Sequence, residues 1–178
     1  MNQKLKHIAN IKKYQIIVLL VLAFICVYSC TNPFAPKLAT GSHDILTDQK
    51  SIDGVFENFR YAYIFKDTLV YGKLLADNFT FTYHNYDKNV DVTWGRSEDM
   101  MTTLGLFNAA QSVNLIWNQV VLAIGDSSRI NITRGFTLNI VFDPTYSDEI
   151  VGRVNLTLVR SAPGSVWQIE KWIDESNY

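Results

Sequence analysis

The chain has 178 residues, 16 basic and 17 acidic side chains, a formal net charge of −1 and 48% hydrophobic residues. No basic stripe interrupts it, which excludes nucleic acid as a partner, because phosphate binding needs a cationic face. Two cysteines and three histidines are too few and too scattered for a structural zinc, so no metal and no other cofactor is expected.

Residues 1–29 read as a secretory signal. Lys4, Lys6, Lys12 and Lys13 supply positive charge, an unbroken apolar run follows from Ile16 to Val27, and Tyr28-Ser29-Cys30 closes the segment. The run is about 12 residues, short of the roughly 20 that span a bilayer. Val27-Tyr28-Ser29-Cys30 resembles the lipobox of bacterial lipoproteins, with an aliphatic residue three before the cysteine and a small one next to it, although Tyr28 is bulkier than the usual occupant. That resemblance implies lipidation of Cys30 and a membrane as partner through the lipid. Each buried methylene of an acyl chain contributes about 0.8 kcal/mol, so several chains anchor firmly. The alternatives are an ordinary cleaved signal and an uncleaved anchor. Cys26 would leave with the signal, and Cys30 would then be the single cysteine of the mature chain. Loss of the four signal lysines leaves 12 basic against 17 acidic residues, about −5. Thr31 is not acidic, which favours sorting to the outer membrane, facing the periplasm. The expected location is the bacterial cell envelope.

Residues 30–50, with Pro33, Pro36, Gly41 and Ser42, read as the lipidated cysteine and a flexible tether. Residues 51–178 make one domain. Ile52, Val55, Phe56, Phe59 and Tyr63 recur at helical spacing. Asp67 suits the N-cap of a second helix, Thr68 to Leu75. Phe79–Tyr83 and Val90–Trp94 alternate and are expected to pair across the turn at 85–89. Ser97 suits the cap of a third helix ending near Asn108. Four β-rich runs follow, Val113–Ile124, Arg129–Phe142, Ile150–Val159 and Val166–Ile173, separated by turn compositions at 125–128, 143–148 and 162–164. Short connections predict an antiparallel meander, and helices before strands predict an α+β fold. Long twisted strands curl, and the early helices must cover the concave face. A cone results, with room for a cavity.

The order helix–helix–strand pair–helix–four strands resembles the NTF2-like superfamily, in particular its SnoaL-like branch. The residues that carry the resemblance are Phe59 to Asp67, the Leu74-Leu75 pair with Phe79-Thr80-Phe81, and Val166-Trp167-Gln168-Ile169 after a Pro-Gly turn. It covers about Ser51 to Ile173. It implies an NTF2-like cone, a curved antiparallel sheet wrapped around N-terminal helices, but no particular reaction, since this fold carries isomerases, dehydratases, cyclases, transport factors and non-catalytic modules.

Among catalytic candidates, His84 is the single histidine of the expected domain and the usual proton shuttle near neutral pH, but it sits at a strand end beside Asn85. Tyr83 adjoins it, and strand neighbours point to opposite faces. Asp67 could act as a base, yet capping accounts for it. For a ligand pocket the candidates are Trp94, Trp117, Arg134 and Trp167. In a regular last strand Trp167 and Trp172 face opposite sides. Arg134 shares the phase of the apolar Ile132 and Phe136. Three readings stay open for it: a carboxylate partner, an anionic ligand, or a bulge at Gly135 that turns it outward.

The sequence thus favours an envelope-anchored, non-enzymatic domain that binds a small apolar ligand or assembles with a second copy or an envelope protein. The alternative is a small pocket enzyme, of isomerase or hydro-lyase type, acting on an apolar substrate.

Overall fold

The computed structural model describes residues 45–176, all within the second of two units into which the chain divides, His43–Tyr178. The expected signal segment, Cys30 and most of the expected tether lie outside the described residues. No described helix is long and apolar enough to cross a membrane.

Helix α1 spans Ile52–Phe65. Ser51 caps it by accepting from the Gly54 amide at 3.0 Å. Val55, Phe56, Phe59, Ala62 and Tyr63 form its buried stripe, at the three- and four-residue steps that one face of a helix requires. Lys66 ends it in the left-handed conformation, φ 55°, and returns its N–H to the last turn, which satisfies carbonyls that would otherwise be orphaned. Asp67 then caps α2 (Thr68–Leu74), its Oδ1 accepting from Leu69 N at 2.9 Å and Val70 N at 3.0 Å.

The strands are β1 (Leu75–Asn85), β2 (Val90–Gly95), β3 (Ser112–Gly125), β4 (Arg129–Asp143), β5 (Tyr146–Val159) and β6 (Gln168–Asp174), with α3 (Arg96–Ala109) between β2 and β3. They make one curved, unclosed sheet in the order β2-β1-β6-β5-β4-β3. The meander from β3 to β6 is antiparallel, as expected. β1 joins it by lying parallel to β6, a pairing between the two ends of the domain that no local pattern announces. α1 packs against α2 and β3 alike, and the core lies between helices and sheet.

Several expectations change. The packed chain begins before Ser51: the Gln49 side chain is buried and donates to Trp167 O at 2.6 Å. The Thr47 hydroxyl donates to Gly54 O at 3.0 Å and packs so closely that a Cβ on Gly54 would meet Oγ1 at 2.6 Å. The packed domain therefore reaches back to about residue 45. Ser97 is not the cap of α3; Gly95 holds that position without a side-chain bond, because β2 stays paired through Gly95 opposite Thr80. Glu98 and Asp99 in the first turn supply the negative charge that a helix N-terminus favours. The turn expected at 143–148 shrinks to Pro144 and Thr145, with Asp143 Oδ1 accepting from Thr145 N at 2.7 Å and its hydroxyl at 2.6 Å.

Bulges set which side chains face inward. β3 gains one residue on β4 between Trp117 and Val120 and another between Val120 and Leu122. β6 gains one at Glu170, since Leu158 pairs with Ile169 and Thr157 with Lys171. That extra residue inverts the alternation. Trp167 and Ile169 are buried, and Trp172, three residues beyond Ile169, still meets Phe59 and Phe81 inside. The opposite-face expectation for Trp167 and Trp172 fails for this reason.

Candidate functional site

Between α1 and the concave face lies a cavity of about 90 Å³, walled by Phe59, Tyr63, Trp117, Phe136, Trp172 and the Asp174 carboxylate, among others. The rings brace one another edge to face. Phe59 stands 5.3 Å from Trp117 and 5.4 Å from Trp172, and Trp117 stands 6.4 Å from Phe136. Such pairs add roughly 0.5–1.5 kcal/mol each beyond area burial, so the wall is preformed rather than adaptable. The volume is well below the roughly 300 Å³ at which drug-sized sites begin, and below the roughly 150 Å³ of an apolar cavity that admits benzene.

Three of its wall residues carry polar groups. Trp172 Nε1 is buried and has no hydrogen-bond partner among the described residues; leaving a donor so costs about 1–3 kcal/mol. Asp174 Oδ1 accepts from Ser176 N at 3.0 Å. The Tyr63 phenol is pushed well above its ordinary pKa by burial first, then by the Asp99 charge and, more weakly, by Asp174, with neighbouring Thr103 and Tyr71 offsetting part of the rise. Tyr63 is thus a neutral hydroxyl across the physiological range. Trp117 is different: its Nε1 donates to Phe56 O at 2.9 Å, so it offers the cavity a ring and no donor.

Behind Tyr63 is a buried polar knot. Asp99 on α3 is buried, and its two oxygens accept from Tyr71 OH at 2.6 Å and Trp94 Nε1 at 3.1 Å. Burial raises the Asp99 pKa, and the two hydrogen bonds offset only part of the rise. Tyr71 is pushed well up by burial and by neighbouring Tyr63 and Asp99. This knot ties α2, β2 and α3 together.

The candidates named from sequence are scattered. His84 lies near the end of β1 with Nδ1 2.8 Å from Asp91 Oδ1 on β2, on a solvent-facing pair away from the cavity. Tyr83 points the other way, against Phe81 and Trp94. Asp67 is engaged as the α2 cap. Trp94 stacks on Phe81 at 4.6 Å and serves Asp99. Trp167 is buried just before β6 under the Arg160 guanidinium, 4.4 Å from its ring, and is not a cavity residue. Trp117 is. Arg134 keeps its inward phase because β4 is regular there; the bulge belongs to β3 and not to Gly135. The guanidinium lies 4.7 Å over Phe56 and 5.8 Å from the Trp117 ring, and Nε donates to Asn118 O at 2.9 Å. The guanidinium thus rests on two rings and a backbone carbonyl, with the Asp53 charge acting on it.

Sequence reasoning missed Tyr63 as a polar group and Asp174 altogether. The alternation of Trp172 with Asp174 was visible, but only the bulge turns it inward. A second hollow, about 770 Å³, runs along α2 past Leu69, Lys73, Arg96 and Met100. It is an open groove, in which Arg96 donates to Gly72 O at 2.8 Å while its Nε is buried without a partner among the described residues, and Gln49 donates to Trp167 O.

No protein-family model matches the chain, and no curated protein does. Solved structures do. A candidate scytalone dehydratase from Novosphingobium aromaticivorans aligns with a TM-score of 0.61 at 12% identity, over 72% of this chain and 83% of the other. An NTF2-like protein of unknown function in nutrient uptake from Rhodospirillum rubrum gives 0.57 at 14% identity, over 72% and 99%. The fold is NTF2-like. Kfla4162 of Kribbella flavida, at 0.61 and 16% identity over 74% and 91%, is similar to the same extent. At such identities the likeness of this NTF2-like domain to them is one of architecture alone.

Proposed function

We propose that the chain is an envelope-anchored NTF2-like binding domain, held on a membrane by lipid on Cys30, whose cone takes a compact and mostly apolar molecule bearing one hydroxyl or carbonyl. The observation that supports this is the cavity itself: an aromatic wall of small volume, with one unpartnered buried donor, Trp172 Nε1, and one carboxylate, Asp174. A ligand oxygen that accepts from Trp172 removes the cost of the orphaned N–H. The small volume and the absence of His84 from the wall favour binding over acid–base chemistry. Propan-2-ol, an apolar body with one hydroxyl, is the probe. Saturable movement of the Trp172 indole N–H resonance on titration is expected, and no movement at saturation removes the ligand reading. For the anchor, Cys30→Ser should shift the chain from the membrane to the soluble fraction of cells; an unchanged distribution rejects lipidation.

Two observations favour other readings. Asp174 and Tyr63 share the cavity, the base and hydroxyl donor that an isomerase or hydro-lyase of this type would need. Tyr63 is buried against the Tyr71–Asp99 pair, and no histidine stands beside Asp174 in the wall, which ranks that reading second. Val120, Val121, Leu122 and Ile124 are exposed on β3, an edge strand with no charged residue. Uncharged edges invite pairing, which favours contact with a second copy or an envelope protein. A concentration-dependent sedimentation coefficient, abolished by Val121→Lys, would support it.

A further inference from the structure

The two residues after β6 do something that neither strand order nor cavity shape requires. Gly152 lies on β5 opposite Phe136 of β4, in the inward phase of Val154. A Cβ built on it would stand 1.8 Å from Ser176 Oγ, 2.7 Å from Ser176 Cβ and 3.1 Å from the Phe136 ring. Ser176 therefore occupies, inside the cone and beside a cavity-wall ring, the space where every other residue type at 152 would place its side chain. It is buried at 6% exposure.

The tail is held there by few contacts. Glu175 N donates to Arg153 O at 3.0 Å, Asn155 donates to Glu175 Oε1 at 2.8 Å, and Ser176 N donates to Asp174 Oδ1 at 3.0 Å. Against them stands the Ser176 hydroxyl, buried with no hydrogen-bond partner among the described residues. A buried hydroxyl without a partner weakens the seat it occupies. The contact with Asp174 couples tail to site: while Ser176 is seated, one oxygen of the cavity's carboxylate is spent on the chain's own amide.

We propose that residues 175–176 are a displaceable plug, and that unseating them enlarges the cone to admit a hydroxylated single-ring aromatic, with its hydroxyl toward Asp174 and Trp172 Nε1 and its ring against Phe59, Trp117 and Phe136. This rests on the cone as a ligand site and adds what the ligand is and what it must move. With Ser176 seated, the half-open cavity of about 90 Å³ is smaller than one that takes benzene, so it cannot enclose a ring. A chain without its plug can.

The test titrates phenol into the full-length chain and into the same chain ending at Asp174, following the Trp172 indole N–H. The shortened chain is expected to bind phenol at least tenfold more tightly, with propan-2-ol affinity changed little. Equal phenol affinity in both chains overturns the plug while leaving the ligand site standing. Phenol bound by the shortened chain alone, with no propan-2-ol response in the intact one, upholds the plug and removes the small-alcohol reading. Gly152→Ala supplies an independent check that deletes nothing. Its Cβ should unseat Ser176, so the Ser176 amide should lose protection from hydrogen exchange and phenol should enter. A Ser176 amide as protected as in the wild type would overturn the proposal.

Discussion

Asp99 offers the sharpest test of how the domain is held together. Replacing it with alanine removes the acceptor of two buried donors. Tyr71 OH is wholly enclosed, and its loss of a partner costs about 1–3 kcal/mol. The Trp94 indole is only half-buried and can turn toward water, so its share lies at the lower end of that range. Together the two give a destabilisation of about 2–4 kcal/mol, a large part of the roughly 5–15 kcal/mol that a domain possesses. The pH dependence is the discriminating part. Burial raises the Asp99 pKa in the folded state, so between the ordinary carboxylate value and the raised one the folded chain binds more protons than the unfolded chain. Stability contributed by Asp99 is then fully present below the unfolded pKa and is lost as pH rises through the folded pKa. Urea unfolding of wild type and Asp99→Asn at neutral pH and at successively lower values should show the wild type gaining on the variant as pH falls across that window. A wild-type advantage that shrinks on acidification would mean a carboxylate stabilised in its charged form, and would refute the account of the knot as a desolvated acid.

Asp67→Ala should cost about 1 kcal/mol in urea unfolding, the usual worth of an N-cap that satisfies two amides; a larger loss would point to a second role in the cone. His84→Ala should change stability by less than about 0.5 kcal/mol, because its pair with Asp91 is exposed, and should leave the propan-2-ol titration of Trp172 unaltered. Arg134→Met should lower stability by about 1–2 kcal/mol through the lost ring contact and the Asn118 carbonyl left without its donor, whereas an anionic-ligand role would show as a change in binding with stability intact.

Local signals in the sequence reach a long way into this fold. The stripe Val55, Phe56, Phe59 and Tyr63 and the cap at Asp67 depend only on helix period and on which side chains can accept from free amides, and both appear where expected. So do the long strands of the meander. The parallel pairing of β1 with β6 joins segments about ninety residues apart, and nothing within either strand specifies its partner. The packed Gln49 was hidden for a related reason: a single polar residue in a proline-bearing stretch looks solvated until the Trp167 carbonyl it serves is in place. The candidate site suffered most, because sequence phase assigns faces by counting residues, and each bulge adds one to the count.

The bulge at Glu170 is accordingly where counting fails, and deleting that residue tests it. Deletion removes the one residue of β6 that is extra to β5: Ile169 stays opposite Leu158, Lys171 opposite Thr157 and Trp172 opposite Leu156, and regular alternation then keeps Trp172 inside. Its edge contacts with Phe59 at 5.4 Å and Phe81 at 5.1 Å should survive. The loss of the Arg129 ion pair with Glu170 is a small cost, since the arginine is largely exposed. Truncating a buried Trp costs about 3–5 kcal/mol, so the deletion should destabilise the domain by much less than Trp172→Ala and should keep the response to propan-2-ol, as should Glu170→Ala. A deletion as costly as Trp172→Ala, with the propan-2-ol response lost, would mean that the strand cannot close up at the bulge and that the extra residue itself holds Trp172 in place.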